Sequence, residues 1–330
     1  MRQSKSRYPT EFDPANMSMI SKIKQRLRRD YYRWLHQKAS RGILDTPALK
    51  PGSMPFTLLS MVQKRDVLAY LVALKSFAAF ACPQRVVVVC DPSIDDADRA
   101  ILQSHVPHIE LRAADEFTHP DIPRGGTWER LLAICDYARD SYVVQLDADT
   151  VTVSRPHEVL QAISRRVGFV LGEMPKQTLI TLDTTSRNAQ ADPEGQRHIQ
   201  GYSEACMSQV GLPADALYVR GCSGFTGFPP SAGMREELVY FSNCMSRKIG
   251  KERWSAWGTE QITSNYLVAN APGTQVLPYP EYGTPDRMNS DTVFIHFIGS
   301  LRFVSDRYEK TSRKVIGQMK ESALLPSLTS

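Results

Sequence analysis

The chain has 330 residues, 42% of them hydrophobic and 23% charged. That suits one large α/β domain with additions and excludes a disordered or fibrous polymer. The net charge of +5 is uneven: Met1 to Arg41 holds 11 Lys/Arg against 3 Asp/Glu, or +8, leaving +5 − 8 = −3 for the rest. No recognisable nucleic-acid module accompanies the basic segment, so nucleic acid is not an expected partner. The six cysteines contain no C-x-x-C pair and several lie in apolar runs, which predicts reduced thiols packed as small hydrophobes in a cytoplasmic protein. The polar, charged first residues do not read as a signal peptide. The apolar window "VLAYLVALKSFAAFAC" is too short, and too interrupted by Lys75 and Ser76, to span a bilayer.

In chain order, residues 1–52 form a basic extension that ends in the linker-like "DTPALKPGSMP". Within it Ile20, Ile23, Leu27, Tyr31, Trp34 and Leu35 recur at helical spacing, surrounded by Lys22, Lys24, Arg26, Arg28, Arg29 and Arg33. Two readings are open. Residues 18–41 lie on an anionic membrane surface as a peripheral anchor at its inner face, or the helix packs on the domain with solvated basic faces.

Residues 53–305 then alternate. "FTLLSMV" reads as a strand, "RDVLAYLVALKSFAAF" as a helix, "RVVVVC" as a strand, Ile94 to Gln103 as a helix, and "HIELR" as a strand. "TWERLLAICDYARD" is a helix and "YVVQL" a strand. Short β-branched strands between helices with i, i+3, i+4 apolar spacing predict an α/β fold: a mostly parallel, Rossmann-like sheet with helices on both faces, its crevice at the carboxyl ends of the strands. A turn and helix in "TVSRPHEVLQAI" and a strand in "VGFVLGE" follow. Met174 to Leu212 loses the pattern and reads as an irregular lid or acceptor loop. Regular structure resumes in "ALYVRGCSGFTGF", the helices "REELVYFSNCMSRKI" and "TEQITSNYLVAN", and the strand "TVFIHFI"; residues 306–330 are a C-terminal helix and tail.

The chemistry is concentrated in "SYVVQLDADTVTV". Asp147 and Asp149 close a buried strand, where extended backbone aims alternate residues to one side. Two adjacent carboxylates repel unless a cation lies between them, which points to a hard divalent metal; a capping Asp147 and a solvated Asp149 are the alternative. Three further pieces follow in order. "CSGFTGF" is expected to hold Ser223 and Gly224 in a tight turn, "WGTEQ" sets Glu260 and Gln261 at a helix start, and "IHFIGSLRF" ends a strand on His296 before Gly299 and Arg302. Trp128 and Trp257 are expected to pack.

This ordered set, from about Pro55 to Phe303, resembles the GT-A (nucleotide-diphospho-sugar transferase) fold, and most closely the glycosyltransferase family that contains glycogenin and bacterial lipopolysaccharide hexosyltransferases (family 8). The first strand "LLSMV" would meet the nucleotide base, with Ser60 and Met61 at its end. The basic residue of the helix before the acidic motif maps onto Arg130. The D-x-D is Asp147-Ala148-Asp149, "CSG" stands where the family has N-x-G, Glu260-Gln261 stands for Asp-Gln, and "HFIGSLRF" for H-F-x-G-x-x-K-P-W. The resemblance implies a hexosyltransferase of polysaccharide or glycolipid biosynthesis. Asp147, Asp149 and His296 would bind Mn2+ or Mg2+, which holds the diphosphate of a nucleotide sugar, expected from the resemblance to be a UDP-sugar. Asp147, Arg130, Gly299 and Arg302 would line the donor, Glu260 and Gln261 would face the sugar, and the acceptor would be a saccharide or glycolipid. Phe303-Val304 in place of Pro-Trp, Cys222-Ser223 in place of asparagine, and Glu260 in place of aspartate are departures.

Two other readings of the same residues stay open. In haloacid-dehalogenase-like phosphohydrolases a strand-end D-x-D supplies the nucleophile, here Asp147, and an acid/base, here Asp149; that class needs a later strand ending in paired acids, and none follows Val153. A non-catalytic nucleotide-sugar-binding domain would keep the same motifs without turnover.

Overall fold

The computed structural model describes residues 19–324, with side chains to Glu321. The first 18 residues of the basic extension, including Ser18 of the expected membrane segment, and the tail 325–330 lie outside the described residues.

Helix α1 (Met19–Ser40) precedes β1 (Met54–Val62), α2 (Val67–Ala81), β2 (Pro83–Cys90), α3 (Asp96–His105), β3 (Ile109–Ala113), α4 (Trp128–Tyr137) and β4 (Tyr142–Leu146). Next come β5 (Thr150–Thr152), α5 (His157–Arg165), β6 (Phe169–Leu171), β7 (Ile180–Thr181), α6 (Leu182–Gln190), α7 (Ile199–Cys206), β8 (Leu217–Tyr218) and β9 (Cys222–Phe228). The chain continues through α8 (Met234–Ile249), α9 (Lys251–Trp254), α10 (Thr259–Ala269), β10 (Gln275–Val276), β11 (Tyr282–Gly283), β12 (Phe294–His296) and α11 (Arg307–Leu324).

The main sheet has the order β10-β6-β9-β4-β1-β2-β3. β3, β2, β1 and β4 pair in parallel, β6 pairs in parallel with β10, and β9 runs against both β4 and β6. The expected mostly parallel sheet is therefore present. Its central strands are buried on both faces, as the runs in β1 and β2 require, while the edge strands β3 and β10 are mostly half-buried. Leu58, Val86, Val88 and Val144 enter the core on one face with α2, while Leu59, Val87, Val89 and Val143 enter the other with α4, α8 and α10. Successive side chains of one strand feed opposite layers because their directions alternate.

A second, small sheet, β11-β12-β5, begins where the first ends. β4 stops at Leu146, the acidic motif follows, and the chain re-enters extended structure at Thr150 opposite His296 of β12. The step between two sheets is what isolates the carboxylates at the crevice.

Three expectations change. The stretch from Met174 to Leu212 is not irregular, because it contains α6 and α7; its apolar residues are sparse, and Thr181 and His198 cap the helices with side-chain acceptors instead. Ser223 and Gly224 lie inside β9, not in a turn. Trp257 does not pack: it is 76% exposed, whereas Trp128 is buried. All six cysteines are free.

Helix α1 buries its side chains toward its end. His36, Ala39 and Ser40 are buried, and His36 stacks on Tyr308 of α11 at 3.6 Å between ring centroids. Burial, with Arg302 nearby, lowers the His36 pKa to about 3, so the ring is neutral in this packing.

Candidate active site

Four elements meet at the carboxyl end of β4. The Asp147 N–H donates to the Gly224 carbonyl at 2.8 Å, extending the β4/β9 ladder by one residue. The Phe297 N–H donates to the Asp149 carbonyl at 2.8 Å, extending the β5/β12 ladder. One acid is thus fixed to the main sheet and the other to the small sheet. Asp147, Asp149 and His296 each offer one ligand atom, and these atoms lie within 4.8 Å of one another. His296 Nε2 is 3.1 Å from Asp149 Oδ1 and 3.9 Å from Asp147 Oδ2. Its Nδ1 is 3.2 Å from Cys222 Sγ.

Gly224 makes room for that ring. A Cβ there would stand 2.1 Å from His296 Cε1, so a side chain would push the imidazole off the acids. The glycine expected to favour a turn is required for close approach within a strand.

Two arginines wall the cluster. Arg130, buried on α4, pairs with Asp147 and reaches both Glu260 oxygens with Nη2 at 3.2 and 3.3 Å. Arg302 pairs with Asp149 through Nη2 and lies 3.5 Å from Asp66 through Nη1. With Arg65 3.6 Å from Asp66, four carboxylates (Asp66, Asp147, Asp149, Glu260) thus face three guanidiniums, −4 + 3 = −1 with His296 neutral. Burial and neighbouring charge shift each of these groups. Burial raises the Asp147 pKa against the pull of Arg130, and burial likewise raises Glu260 against Arg130 and Thr127. Burial alone would lower His296, but Cys222 and Asp149 outweigh it and raise the imidazole well above its ordinary value. Asp149 is pushed up by burial, yet His296 and Arg302 hold it well below the usual carboxylate range.

The remaining expected residues divide. Ser60 is fully buried, and its hydroxyl donates to the Leu146 carbonyl at 2.6 Å; it positions the strand end before Asp147, so its side chain does not face a base. Met61, one residue on, is half-buried. Gly299 is exposed in a short turn with nothing within 4 Å of a Cβ added there, which leaves its outer side open. Glu260 is 2% exposed behind Arg130, whose guanidinium it aims. Gln261 is half-buried beside it, with Oε1 3.4 Å from the Ser223 N–H and Nε2 3.4 Å from Gln200 Oε1.

Two residues escaped the sequence reading. Thr127, left-handed at φ 76 after Gly125 and Gly126, donates through Oγ1 to Glu260 at 3.0 Å. The signal was "RGGT", a glycine pair immediately before the helix that carries Arg130. Asp66, which braces Arg302, follows the end of β1 in "QKRD", an acid at a carboxyl strand end like Asp147.

No protein-family profile matches the chain, and no curated protein does. Its shape is similar to those of solved glycosyltransferases. LgtC, a galactosyltransferase in complex with donor and acceptor sugar analogs, matches at 13% identity and a TM-score of 0.46, over 83% of this chain and 98% of LgtC. The bifunctional glycosyltransferase WbbM matches at 13% identity and a TM-score of 0.47, over 82% of this chain and 53% of WbbM, so the chain spans about half of that protein. Core-mannan synthase A from Aspergillus fumigatus, in its Mn/GDP form, matches at 10% identity and a TM-score of 0.39, over 71% and 77%.

Proposed function

We propose that the protein is a metal-dependent glycosyltransferase of the GT-A type that moves a hexose from a nucleotide sugar, with UDP as nucleotide, onto a saccharide or glycolipid acceptor in polysaccharide or glycolipid biosynthesis. A cytoplasmic location, peripheral to the inner face of a membrane, is proposed beside this activity and does not depend on it. The observation that carries it is the meeting of Asp147, Asp149 and His296 at the carboxyl end of β4, with one ligand atom from each within 4.8 Å of the others.

The donor set fits Mn2+ or Mg2+: two carboxylates and one imidazole suit such ions, and a cation between Asp147 and Asp149 relieves their repulsion. Held by these three residues, the ion would supply Lewis acidity toward the diphosphate of the departing nucleotide. The chain's own groups do the rest. Arg302, beside the exposed Gly299, offers a planar fork to a phosphate oxygen. Arg130, held by Glu260 and Thr127, keeps Asp147 oriented and cannot swing away. Gln261, steadied between Ser223 and Gln200, presents an amide on the sugar side.

The test is nucleotide release from UDP-, GDP- and dTDP-sugars, with and without Mn2+, by the protein and by Asp149→Asn. Metal-dependent release of one nucleotide, lost in the variant, is the expected outcome. Phosphate release from phosphomonoesters, with no nucleotide released from any sugar donor, would sink the reading in favour of a phosphohydrolase. Metal-dependent donor binding without any turnover would leave a nucleotide-sugar-binding domain.

A further inference from the structure

The exposed side of α1 has no role in the site or the fold. Met19, Ile20, Ile23, Leu27, Tyr31 and Trp34 are all exposed, Trp34 at 54%. At about 100° per residue they fall in one stripe about 120° wide, on nearly the opposite side of the helix from the packed His36, Ala39 and Ser40. The helix therefore has two apolar aspects: a short one that holds it to the domain through Tyr308, and a long one that faces away from the protein. Large apolar side chains in a continuous row on a soluble surface mark an interaction site.

Charge selects the occupant. Residues 19–40 carry seven Lys/Arg against Asp30 alone, 7 − 1 = +6, while the chain beyond Arg41 totals −3. A second copy of the same helix would bring +6 against +6. A phosphate backbone would answer the charge but leave Ile20, Ile23 and Leu27 in water. An anionic bilayer answers both, accepting the apolar stripe between headgroups while its surface potential attracts the flanking cations. Among the described residues no helix is long and apolar enough to cross a membrane, so the contact is an in-plane one.

We propose that α1 is a membrane-docking helix, lying in the plane of an anionic bilayer on the stripe from Met19 to Trp34, and that it fixes the orientation of the crevice relative to the lipid. The packed end of the helix supplies the connection. Arg33 lies over the Phe303 ring at 5.4 Å, Phe303 follows Arg302 in the chain, and Arg302 pairs with Asp149. On the other side, the Tyr308 ring that stacks on His36 has its hydroxyl 3.5 Å from the carbonyl of Ala148, between the two acids. Docking thus holds the Arg302 side of the crevice about one helix diameter, roughly 10 Å, from the headgroups. Acceptors of the membrane class, with a saccharide borne on a lipid, are the ones this geometry presents. Only that last step rests on the transferase reading; the docking itself does not.

The experiment is co-sedimentation of the full chain with vesicles of equal parts phosphatidylcholine and phosphatidylglycerol, and with phosphatidylcholine alone, without any donor. The protein should bind the anionic vesicles, release in high salt, and ignore the neutral ones. Ile23→Ser/Leu27→Ser/Trp34→Ser should weaken binding by about tenfold or more, and Lys24→Gln/Arg26→Gln/Lys38→Gln, the cations nearest the stripe, should weaken it severalfold. Thermal melting should stay unchanged in both, because these side chains are exposed. Absence of binding to anionic vesicles, equal binding by the apolar variant, or binding to a DNA duplex that the apolar variant retains while vesicles are ignored would each overturn the proposal. Because no turnover is measured, failure here is separable from failure of the transferase reading.

Discussion

The two ends of the same sheet make an instructive pair. At the amino ends of β1, β2 and β4 lies a cavity of about 740 Å³ lined by Pro55, Thr57, Gln84, Asp140, Ser141 and Arg166 among others. At the carboxyl ends four carboxylates, three guanidiniums, an imidazole and a thiol crowd together. Volume alone is a by-product of how strand ends and loops fit. Charge gathered at the end of buried strands has to be held there against its desolvation cost, and it persists because neighbouring ladders and ion pairs fix it. The crowded end is therefore the one assigned to chemistry.

The largest expected effect sets the two ends directly against each other. Asp149→Asn should lower metal-dependent nucleotide release by roughly a hundredfold or more, while Gln84→Ala at the amino end should leave it unchanged; equal losses in steady-state assays would erase the contrast. Gly224→Ala sharpens the role of packing. The added methyl must displace His296, so Mn2+ affinity measured by calorimetry should fall by about ten- to a hundredfold, with Arg130 and Arg302 untouched.

Next is a pH effect. His296 has its pKa raised, so without metal it is protonated below that value, and a cation must displace the proton to use Nε2. Metal affinity should therefore fall as pH falls through the raised pKa, by about tenfold per unit if one proton is displaced. Titrations in two buffers of different ionisation enthalpy would count that proton, and a count of zero would contradict the assignment. The smallest effect concerns the rim. Trp257 stands exposed 3.9 Å from where a Gly126 Cβ would be, beside the helix that carries Gln261. Trp257→Ala should raise the acceptor KM about fivefold with donor hydrolysis unchanged.

Much of this was readable in advance for particular reasons. β4 and the D-x-D were legible because a buried parallel strand is a continuous apolar run and two acids at its end break the run sharply. α8 and α10 were legible from their apolar spacing. α6 and α7 were not, since they are short, polar and held by side-chain caps and by each other, leaving little periodicity to detect. Glu260 was legible as a helix-start residue but its burial behind Arg130 was not, because a helix start says nothing about which neighbour closes over it.

What the sequence by itself determined is the alternation of strands and helices, the position of Asp147 and Asp149 at a strand end, and the amphipathic, basic character of residues 19–40. These are local properties, set by side-chain period and by charge along the chain. Only the tertiary structure decided that His296 would stand opposite Thr150, 147 residues from Asp149, that Gly224 would clear space for its ring, and that Glu260 would disappear behind Arg130. It also decided which side of α1 would be covered and which left bare. Those outcomes depend on pairing between distant strands and on which faces exclude water, and neither is encoded in the spacing of residues within one segment.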